Sequence, residues 1–339
     1  MKAAFLNEIK KPLIVKETDV PKPGPYEVVI EQEFTGICYR DILTYEGWFP
    51  RVKLPIIPGH EIAGKIIEVG ENVHEFKVGD QVASLIYIPC GQCKNCKAGL
   101  ENLCRNKLTY GEDVNGGYSK YVKVHVNGLV KIPRKVSIEN GVIAACLTGM
   151  LIHALKYRAK VKKDNWVLVT GAGGGVGIHA IQVAKALEAK VIAVTSSEWK
   201  VNKIKEVNAD HMIVAKNGFS EEVKKLTDGE GVDVVVEAVG QPTFEQSLRS
   251  VKWGGNVVLI GNVNPQPVQV SLGPLILREV GILGSLSSRK KEVSEALRLA
   301  SKGKIKPIID SIINLEEVNE AYNKLKNKGA IGRIFIKLS

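Results

Sequence analysis

The sequence predicts an α/β protein with a β-rich first part and, after it, a doubly wound parallel sheet covered by helices. Three observations lead to this prediction. Residues 1–150 alternate short β-type runs, such as EVVIEQEF and YSKYVKV, with Gly, Pro and Asn turns. Residues 151–285 alternate continuous apolar runs, such as VDVVVEAV, with amphipathic helices, which is typical of a buried parallel sheet. Residues 286–339 predict a helix, a strand, a second helix and a last strand.

Composition narrows the class of protein. The chain has 339 residues, and its 45% hydrophobic and 24% charged content argues against disorder. No stretch reaches the ~20 apolar residues of a membrane span, and the N-terminus lacks a signal-peptide layout. We therefore expect a cytoplasmic protein without a membrane partner. The net charge of +11 fits either a solvated lysine-rich surface or a basic cleft for a phosphate-bearing ligand. Acidic residues interrupt the basic ones, which argues against nucleic acid binding.

A cysteine-rich loop, CGQCKNCKAGLENLC, predicts a metal site. Its four thiols belong to Cys90, Cys93, Cys96 and Cys104. Spacers of two residues let the backbone turn back, so that four thiolates can surround one tetrahedral Zn²⁺ and close its shell. Clustered cysteines in a chain without a secretory signal are more often metal ligands than disulfides. We predict a structural zinc site, with an iron–sulfur cluster as the alternative.

A glycine-rich turn, VLVTGAGGGVG, predicts a dinucleotide-binding site. A buried strand ends at Thr170, and a helix is expected to begin near Val176. Between them, glycines allow a tight turn and close approach of a pyrophosphate to the helix N-terminus. These are Gly171, Gly174, Gly175 and Gly177. Because the string lies inside a βαβ unit, it predicts a Rossmann domain over residues 151–285.

The strand that follows, KVIAVTSSEWK, indicates the cofactor. NAD-binding domains usually carry Asp or Glu at the end of this strand to bind the ribose 2′-hydroxyl. Here Thr195 and Ser196 hold that place, with Lys200 shortly after, and these groups would accept a 2′-phosphate. We therefore predict a preference for NADP(H) over NAD(H). The alternative is that Ser196 or Ser197 only caps the next helix.

The ends of later strands are expected to contact the nicotinamide. Val239 and Gly240 follow VDVVVEA, and Gly261 and Asn262 follow VVLI. Ligands of parallel sheets bind at the carboxyl ends of strands. The alternative is that these residues only begin ordinary loops.

Three dispersed residues have the chemistry of a catalytic zinc site. Cys38, His60 and Cys146 form the Cys₂His set that leaves the fourth position of the metal open. Taken singly, a lone cysteine is usually a core residue, and a lone histidine is usually at the surface or hydrogen bonded.

The GHE stretch, the cysteine loop and the glycine-rich turn, in this order, resemble the zinc-containing medium-chain dehydrogenase/reductase superfamily over essentially the whole chain. The resemblance implies a GroES-like catalytic domain, built from 1–150 and completed by 286–339, beside the Rossmann domain. It also implies two zinc ions per subunit, and a homodimer or homotetramer formed through the Rossmann domain.

The same resemblance implies roles for individual residues. Cys38, His60 and Cys146 are then the ligands of the catalytic zinc. Glu61 is an outer or alternate ligand, and Asp41 orients His60 through a hydrogen bond.

One stretch departs from the alcohol dehydrogenase pattern, which usually reads Cys-His-Ser/Thr-Asp. This chain has CYRD at residues 38–41. The usual hydroxyl passes the alcohol proton towards solvent, and Arg40 cannot do so because its guanidinium stays protonated. Tyr39 is the neighbouring candidate for that task. Loops around Trp48, Phe49 and Ile88 are expected to line the substrate pocket.

A narrower resemblance concerns CYRD, CLTGM, GGVGIHAIQVAKAL, VTSSE and GKIKPII, which are similar to the archaeal acryloyl-CoA reductase group. Three functions follow as expectations. The first is zinc-dependent hydride transfer between a nicotinamide and an alcohol or carbonyl substrate. The alternative is an NADPH-dependent enoyl-thioester reductase, in which zinc, Arg40 or Tyr39 assists an enolate oxygen or supplies a proton. The third is a non-catalytic NADPH-binding protein, against which the intact ligand set argues.

Overall fold

The structure, a computed structural model, describes residues 1–216 and 218–338. These residues divide into two compact units. The first unit contains 1–149 and 287–338, and the second contains 150–286. No helix among the described residues combines the length and the apolar character needed to cross a membrane.

The N-terminal part of the first unit is mainly β-structure. Its strands are β1 Lys2–Phe5, β2 Ile14–Glu17, β3 Glu27–Glu31, β4 Phe34–Ile37, β5 Ala63–Val69, β6 Gln81–Ser84, β7 Tyr87–Ile88, β8 Leu108–Thr109, β9 Tyr121–His125 and β10 Leu129–Lys131. Its helices are α1 Tyr39–Tyr45, α2 Lys94–Lys97 and α3 Ile138–Val142, followed by a π-helical turn over Ala144–Gly149.

The second unit alternates strands and helices. Its strands are β11 Trp166–Val169, β12 Lys190–Thr195, β13 His211–Val214, β14 Val232–Glu237, β15 Val251–Leu259 and β16 Gly281–Gly284. Its helices are α4 Met150–Ile152, α5 Gly175–Ala186, α6 Val201–Lys205, α7 Ser220–Leu226, α8 Phe244–Ser250 and α9 Leu272–Leu277, with a π-helical turn over His153–Arg158.

The C-terminal segment returns to the first unit. Its elements are α10 Lys290–Ser301, β17 Ile309–Asn314, α11 Val318–Lys326 and β18 Arg333–Lys337.

The main sheet of the first unit is antiparallel and has the strand order β10-β6-β5-β3-β9. Val28 and Ile30 of β3 are buried together with Ile66 of β5 and Val124 of β9. Residues two apart on a strand share one face, so this alternation builds the core. Burying each such side chain contributes about 1.5–3 kcal/mol.

A smaller sheet joins both ends of the first unit. Strand β18 lies between β17, which is parallel to it, and β4, which is antiparallel to it. Because β4 leads directly to Cys38, the pairing with β18 brings the C-terminal segment beside that residue.

The second unit is built on a parallel sheet with the order β13-β12-β11-β14-β15-β16. The order reverses direction between β11 and β14, which is the switch point of a doubly wound sheet. Val167, Leu168 and Val169 of the central strand are fully buried. The predicted α/β class with a doubly wound parallel sheet is confirmed. Helix α5 begins at Gly175, one residue before the expected start.

Candidate active site

Four potential metal ligands converge within the first unit. One ligand atom from each of Cys38, His60, Glu61 and Cys146 lies within 4.8 Å of all the others. The Cys146 Sγ lies 3.7 Å from the Cys38 Sγ and 3.2 Å from the His60 Nε2. Zn–S bonds of about 2.3 Å in a tetrahedral shell separate two sulfurs by about 3.8 Å. The distance between the two sulfurs therefore fits a shared Zn²⁺.

Three separate elements position these ligands. Cys38 is the N-cap residue of α1 and follows β4 directly. His60 and Glu61 lie in the loop before β5, and Cys146 lies in the π-helical turn. A hydrogen bond from Cys146 lowers the pKa of the Cys38 thiol well below its usual value, and the charge of Arg333 lowers it further. The thiolate, which is the form that binds a metal, is thus favoured at Cys38.

Asp41 fixes the orientation of His60. Its Oδ1 lies 2.9 Å from the His60 Nδ1, which leaves the Nε2 facing the sulfurs. Its Oδ2 accepts hydrogen bonds of 2.9 Å from the Cys38 backbone N–H and from the Tyr118 hydroxyl. A carboxylate on the far nitrogen of a metal-binding histidine sets its tautomer and its basicity. Tyr118, which the sequence analysis did not select, holds this carboxylate from the other side.

Glu61 is fully buried and bound on one side only. Its Oε1 accepts a hydrogen bond of 2.7 Å from the Arg333 Nη2, whereas its Oε2 has no partner among the described residues. Burial raises the pKa of Glu61 to about 7, although Arg333 opposes that shift. A Cβ at Gly36 would lie 1.9 Å from this Oε2, so only glycine leaves room for the carboxylate. An orphaned carboxylate oxygen beside two sulfurs and an imidazole suits a cation.

Arg40 occupies the first turn of α1, two residues after Cys38. Its Nε donates a hydrogen bond of 2.6 Å to the Oε1 of Glu112, a buried residue that the sequence analysis did not select. The Oε2 of Glu112 accepts a hydrogen bond of 2.9 Å from the Arg51 Nη2. The Arg40 guanidinium also lies 4.4 Å from the centre of the Phe49 ring. Arg40 is therefore held from two sides.

The Tyr39 side chain packs against the apolar core of the first unit and makes no described side-chain contact with the dispersed ligands. It packs against the apolar cluster that contains Ile37 and Ile42, and its hydroxyl has no hydrogen-bond partner in the described part of the chain. Burial raises its pKa. None of its described contacts supports the expected proton transfer.

The cysteine loop forms a second ligand set in the first unit. Cys93 Sγ lies 3.5 Å from Cys96 Sγ and 3.9 Å from Cys104 Sγ, and Cys90 Sγ lies 4.0 Å from Cys96 Sγ. Backbone N–H groups lower the pKa of the Cys90 thiol to about 6. An iron–sulfur cluster places a polynuclear core between its cysteines and so spreads their sulfurs apart. These short distances fit a single Zn²⁺ better than a cluster.

In the second unit, the glycine-rich turn is as tight as predicted. Gly171 has a φ of +59°. A Cβ at Gly177 would lie 2.2 Å from the Gly171 carbonyl oxygen, so a side chain there would clash. Gly174 is the N-cap of α5, and α5 begins at Gly175 and Val176. The N–H groups at the start of this helix suit a pyrophosphate.

Thr195, Ser196 and Lys200 follow β12. The Thr195 side chain is buried, and its Oγ1 accepts a hydrogen bond of 3.2 Å from the Ser197 N–H, whereas Ser196 is exposed. Ser197 holds the N-cap position of the following 3₁₀ helix, but its side chain makes no capping hydrogen bond. The Lys200 stem lies against the glycine-rich turn, since a Cβ at Gly173 would lie 2.5 Å from the Lys200 Cδ.

Glu237, at the end of β14, organises the expected nicotinamide residues. Its Oε1 accepts hydrogen bonds of 2.8 Å from the Val239 N–H and 2.9 Å from the Gly240 N–H. A Cβ at Gly240 would lie 2.6 Å from the Asn262 Oδ1, and one at Gly261 would lie 2.2 Å from the Ala238 carbonyl oxygen. The structure thus brings Val239, Gly240, Gly261 and Asn262 together. The acid that directly follows the apolar run at residues 234–236 was the signal that sequence reasoning missed.

Comparisons with known proteins give the family. Residues 24–134 match the alcohol dehydrogenase GroES-like domain, and residues 175–302 match the zinc-binding dehydrogenase family. The chain is 44% identical to an acryloyl-coenzyme A reductase of Sulfurisphaera tokodaii, over 99% of this chain and 100% of the relative. It is 37% identical to an alcohol dehydrogenase of Geobacillus stearothermophilus, over 100% of this chain and 99% of the relative.

A solved structure agrees with these relatives. The crystal structure of AibC is similar with a TM-score of 0.93 and 38% identity, and the match covers 100% of this chain and 96% of that chain. The predicted GroES-like and Rossmann fold class is therefore confirmed. Because these relatives span essentially the whole chain, the protein belongs to the zinc-type medium-chain dehydrogenase/reductase superfamily and is an oxidoreductase of the alcohol dehydrogenase family.

Proposed function

We propose that this oxidoreductase is an NADPH-dependent reductase that saturates the double bond of a small α,β-unsaturated acyl thioester. The observation that carries the proposal is Arg40. It stands where an alcohol dehydrogenase carries a proton-relaying hydroxyl, in an otherwise complete Cys, His, Cys and Glu centre. A guanidinium cannot accept the proton that leaves an alcohol. The acryloyl-coenzyme A reductase among the relatives supports the same substrate class.

The dispersed ligand set is proposed to hold the catalytic zinc. Cys38, His60 and Cys146 would bind it, and Glu61 stands beside it as an alternate ligand. When bound, the zinc supplies a Lewis acid for a substrate oxygen. Asp41 keeps the His60 Nε2 available to the metal by accepting the hydrogen bond from Nδ1. The four-cysteine loop would hold a second, structural zinc, which gives two ions per subunit.

The cofactor is proposed to be NADP(H). The glycine-rich turn and the start of α5 would receive the pyrophosphate. The end of β12 carries Thr195 and Ser196 in place of an acid, and Lys200 lies against the same turn. The residues gathered around Glu237 would line the nicotinamide. A 2′-phosphate meets no carboxylate at Thr195 and Ser196, and this favours NADPH over NADH.

A second candidate is an alcohol or carbonyl oxidoreductase. The complete ligand set and the alcohol dehydrogenases among the relatives favour it. It would require a proton route other than a hydroxyl at position 40. Tyr39 does not offer one in its described contacts.

We also propose that the second unit mediates a homodimer or homotetramer. Strand β16 forms one edge of its sheet. Nearby, helix α9 exposes Leu272, Ile276 and Leu277, with 67%, 73% and 75% of their surface accessible. Clustered exposed apolar side chains beside an open sheet edge are typical of an interface.

A substrate-panel assay tests the proposed reaction. NADPH and NADH oxidation would be followed with acryloyl-CoA and with a small aldehyde, before and after zinc chelation. We expect turnover of acryloyl-CoA with NADPH that chelation abolishes, and little aldehyde reduction. Rapid aldehyde reduction without acryloyl-CoA turnover would establish the second candidate instead. Binding of NADPH without turnover of either substrate would contradict both.

A further inference from the structure

Arg40 presents two Nη groups whose N–H donors no described residue uses. Its Nε is bonded to the Glu112 Oε1, but neither Nη group has a partner in residues 1–216 and 218–338. The side chain is 29% exposed, so a ligand can reach it. Arg40 lies in the first turn of α1, whose N-cap residue is the proposed ligand Cys38. The free donors therefore border the dispersed ligand set.

The surrounding contacts explain why these donors stay free. A carboxylate and a guanidinium commonly form two parallel hydrogen bonds. Here the second oxygen of Glu112 is taken by the Arg51 Nη2, whose own position is fixed by a hydrogen bond of 3.1 Å to the Thr109 Oγ1. Arg40 is left with a single bond through Nε. The Phe49 ring then holds the guanidinium plane.

The Arg40 guanidinium is thus fixed in position while its Nη groups stay available to a ligand. Donors that are fixed before the reaction stabilise a developing negative charge without reorganisation. Glu112 is only 2% exposed and is bound by both arginines, so it can act as a rigid support. The permanent charge of a guanidinium suits an oxygen that becomes anionic without giving up a proton of its own.

We propose that the two Nη groups of Arg40 bind the thioester carbonyl oxygen of the substrate, and that Glu112 is the positioning residue that aims them. This inference rests on the proposed function. The β-carbon accepts a hydride from NADPH, the C=C pair shifts to form the enolate, and the negative charge rests on the oxygen held by Arg40, which is the same oxygen that the proposed zinc would polarise. The enolate then collapses, and the α-carbon takes a proton from water. The balance is enoyl thioester, NADPH and a proton giving the saturated thioester and NADP⁺, with Arg40 protonated throughout.

Arg40→Ala is the principal variant. It keeps Glu112 paired with Arg51, so the fold should tolerate it. Loss of a fixed oxyanion donor lowers kcat by about 10²–10³-fold, so we expect a loss of that size for acryloyl-CoA with NADPH. Millimolar guanidinium ion should restore part of the rate. Arg134→Ala, which removes an exposed arginine after β10, is the matched control and should leave kcat within about twofold.

Glu112→Gln tests the positioning role. It should lower kcat by about 10-fold or more with a smaller change in KM. Arg40→Lys keeps the charge but loses the planar pair of donors, and it should remain at least about 10-fold below the unchanged protein. Arg40→Lys therefore still tests the role of the Arg40 donors if Glu112→Gln does not fold.

A binding measurement provides a readout that does not depend on turnover. Propanoyl-CoA, the saturated product, would be titrated calorimetrically into the zinc-loaded protein in the absence of NADPH. Arg40→Ala should weaken its binding by about 10-fold or more, because it removes both Nη donors to the thioester carbonyl oxygen.

The outcomes separate the two proposals. Normal kcat and normal propanoyl-CoA binding in Arg40→Ala would overturn the role of Arg40 while leaving acyl-thioester reduction intact. Absence of acryloyl-CoA turnover in the unchanged protein would overturn both.

Discussion

The two cysteine-containing ligand sets of the first unit differ in how far apart their ligands lie in the sequence and in which residue types supply them. The four-cysteine loop gathers its ligands within residues 90–104, and all four are thiols. The dispersed set gathers two thiols, an imidazole and a carboxylate from three elements, and one carboxylate oxygen is left without a described partner. A local, uniform set closes a metal shell and stabilises a loop, whereas a dispersed, mixed set leaves a position for chemistry.

Removing one thiol from the dispersed set should have the largest effect on activity. Cys146→Ala should lower kcat by at least about 10³-fold, because Lewis-acid stabilisation contributes several kcal/mol. Metal analysis should find one zinc per subunit instead of two. An enzyme that keeps two zinc ions and nearly full activity would show that the two clusters do not differ as proposed.

The buried ion pair behind the dispersed set should dominate stability. Arg333→Met leaves Glu61 buried without its cation, and we expect a loss of about 3–5 kcal/mol in the free energy of unfolding. The double variant with Glu61→Gln should recover part of that loss. Denaturant unfolding of the single and double variants measures the coupling. A loss in the double variant equal to the sum of the losses of Arg333→Met and Glu61→Gln alone would mean that the pair is not coupled.

Removing one thiol from the loop should affect stability more than catalysis. Cys96→Ser should lower the Tm by roughly 10 °C, equivalent to about 3 kcal/mol for a unit of this size. The kcat per folded molecule should stay within a few-fold. Thermal melts and zinc content check the expectation. A loss of kcat as large as that of Cys146→Ala would contradict the distinction between the sites.

The smallest expected effect is the pH dependence of the contribution that Glu112 makes to the free energy of unfolding. Burial alone would raise the pKa of Glu112, but Arg40 and Arg51 outweigh it and lower the pKa. The ionised Glu112 carboxylate then contributes its full stabilisation above the ordinary glutamate pKa of about 4.3. This stabilisation is lost as the pH falls through the lower pKa that Glu112 has in the folded protein.

Comparing the unfolding free energies of the unchanged protein and of Glu112→Gln separates the contribution of Glu112 from those of other acid-sensitive groups, such as the thiolates. The free energy of unfolding of the unchanged protein should exceed that of the variant at neutral pH, and this difference should shrink on acidification. Urea unfolding at a series of pH values measures it. An advantage that stays constant down to the acid limit would show that the arginines do not lower this pKa.

Sequence reasoning predicted what depends on local spacing. The cysteine loop and the glycine-rich turn could be read because their neighbours in sequence are their neighbours in space. The parallel sheet could be read because buried strands are continuous apolar runs. Cys38, His60 and Cys146 have the chemistry of a Cys₂His set, but only the family resemblance assigned them as ligands of one zinc ion, since spacing alone says nothing about residues that lie on three elements.

The supporting residues were missed for the same reason. Glu61 and Arg333 are 272 residues apart, and Arg40 and Glu112 are 72 apart. No periodicity links such pairs, and each depends on how strands pair after folding. A signal was present in one case, because Arg333 opens the apolar strand RIFIK and a charge there needs a buried partner.

The pairing of β18 with β4 has a consequence for assembly during translation. A nascent chain in which residue 333 has not yet emerged has no cation for Glu61, whereas the cysteine loop has all of its donors as soon as residue 104 is free. If the sites bind zinc as proposed, the loop would have its complete ligand set early, whereas the buried Glu61 beside the dispersed set would lack its cation until the last strand has docked. A fragment halted before that strand would contain all the ligands of both sets but would leave the Glu61 carboxylate without the Arg333 guanidinium.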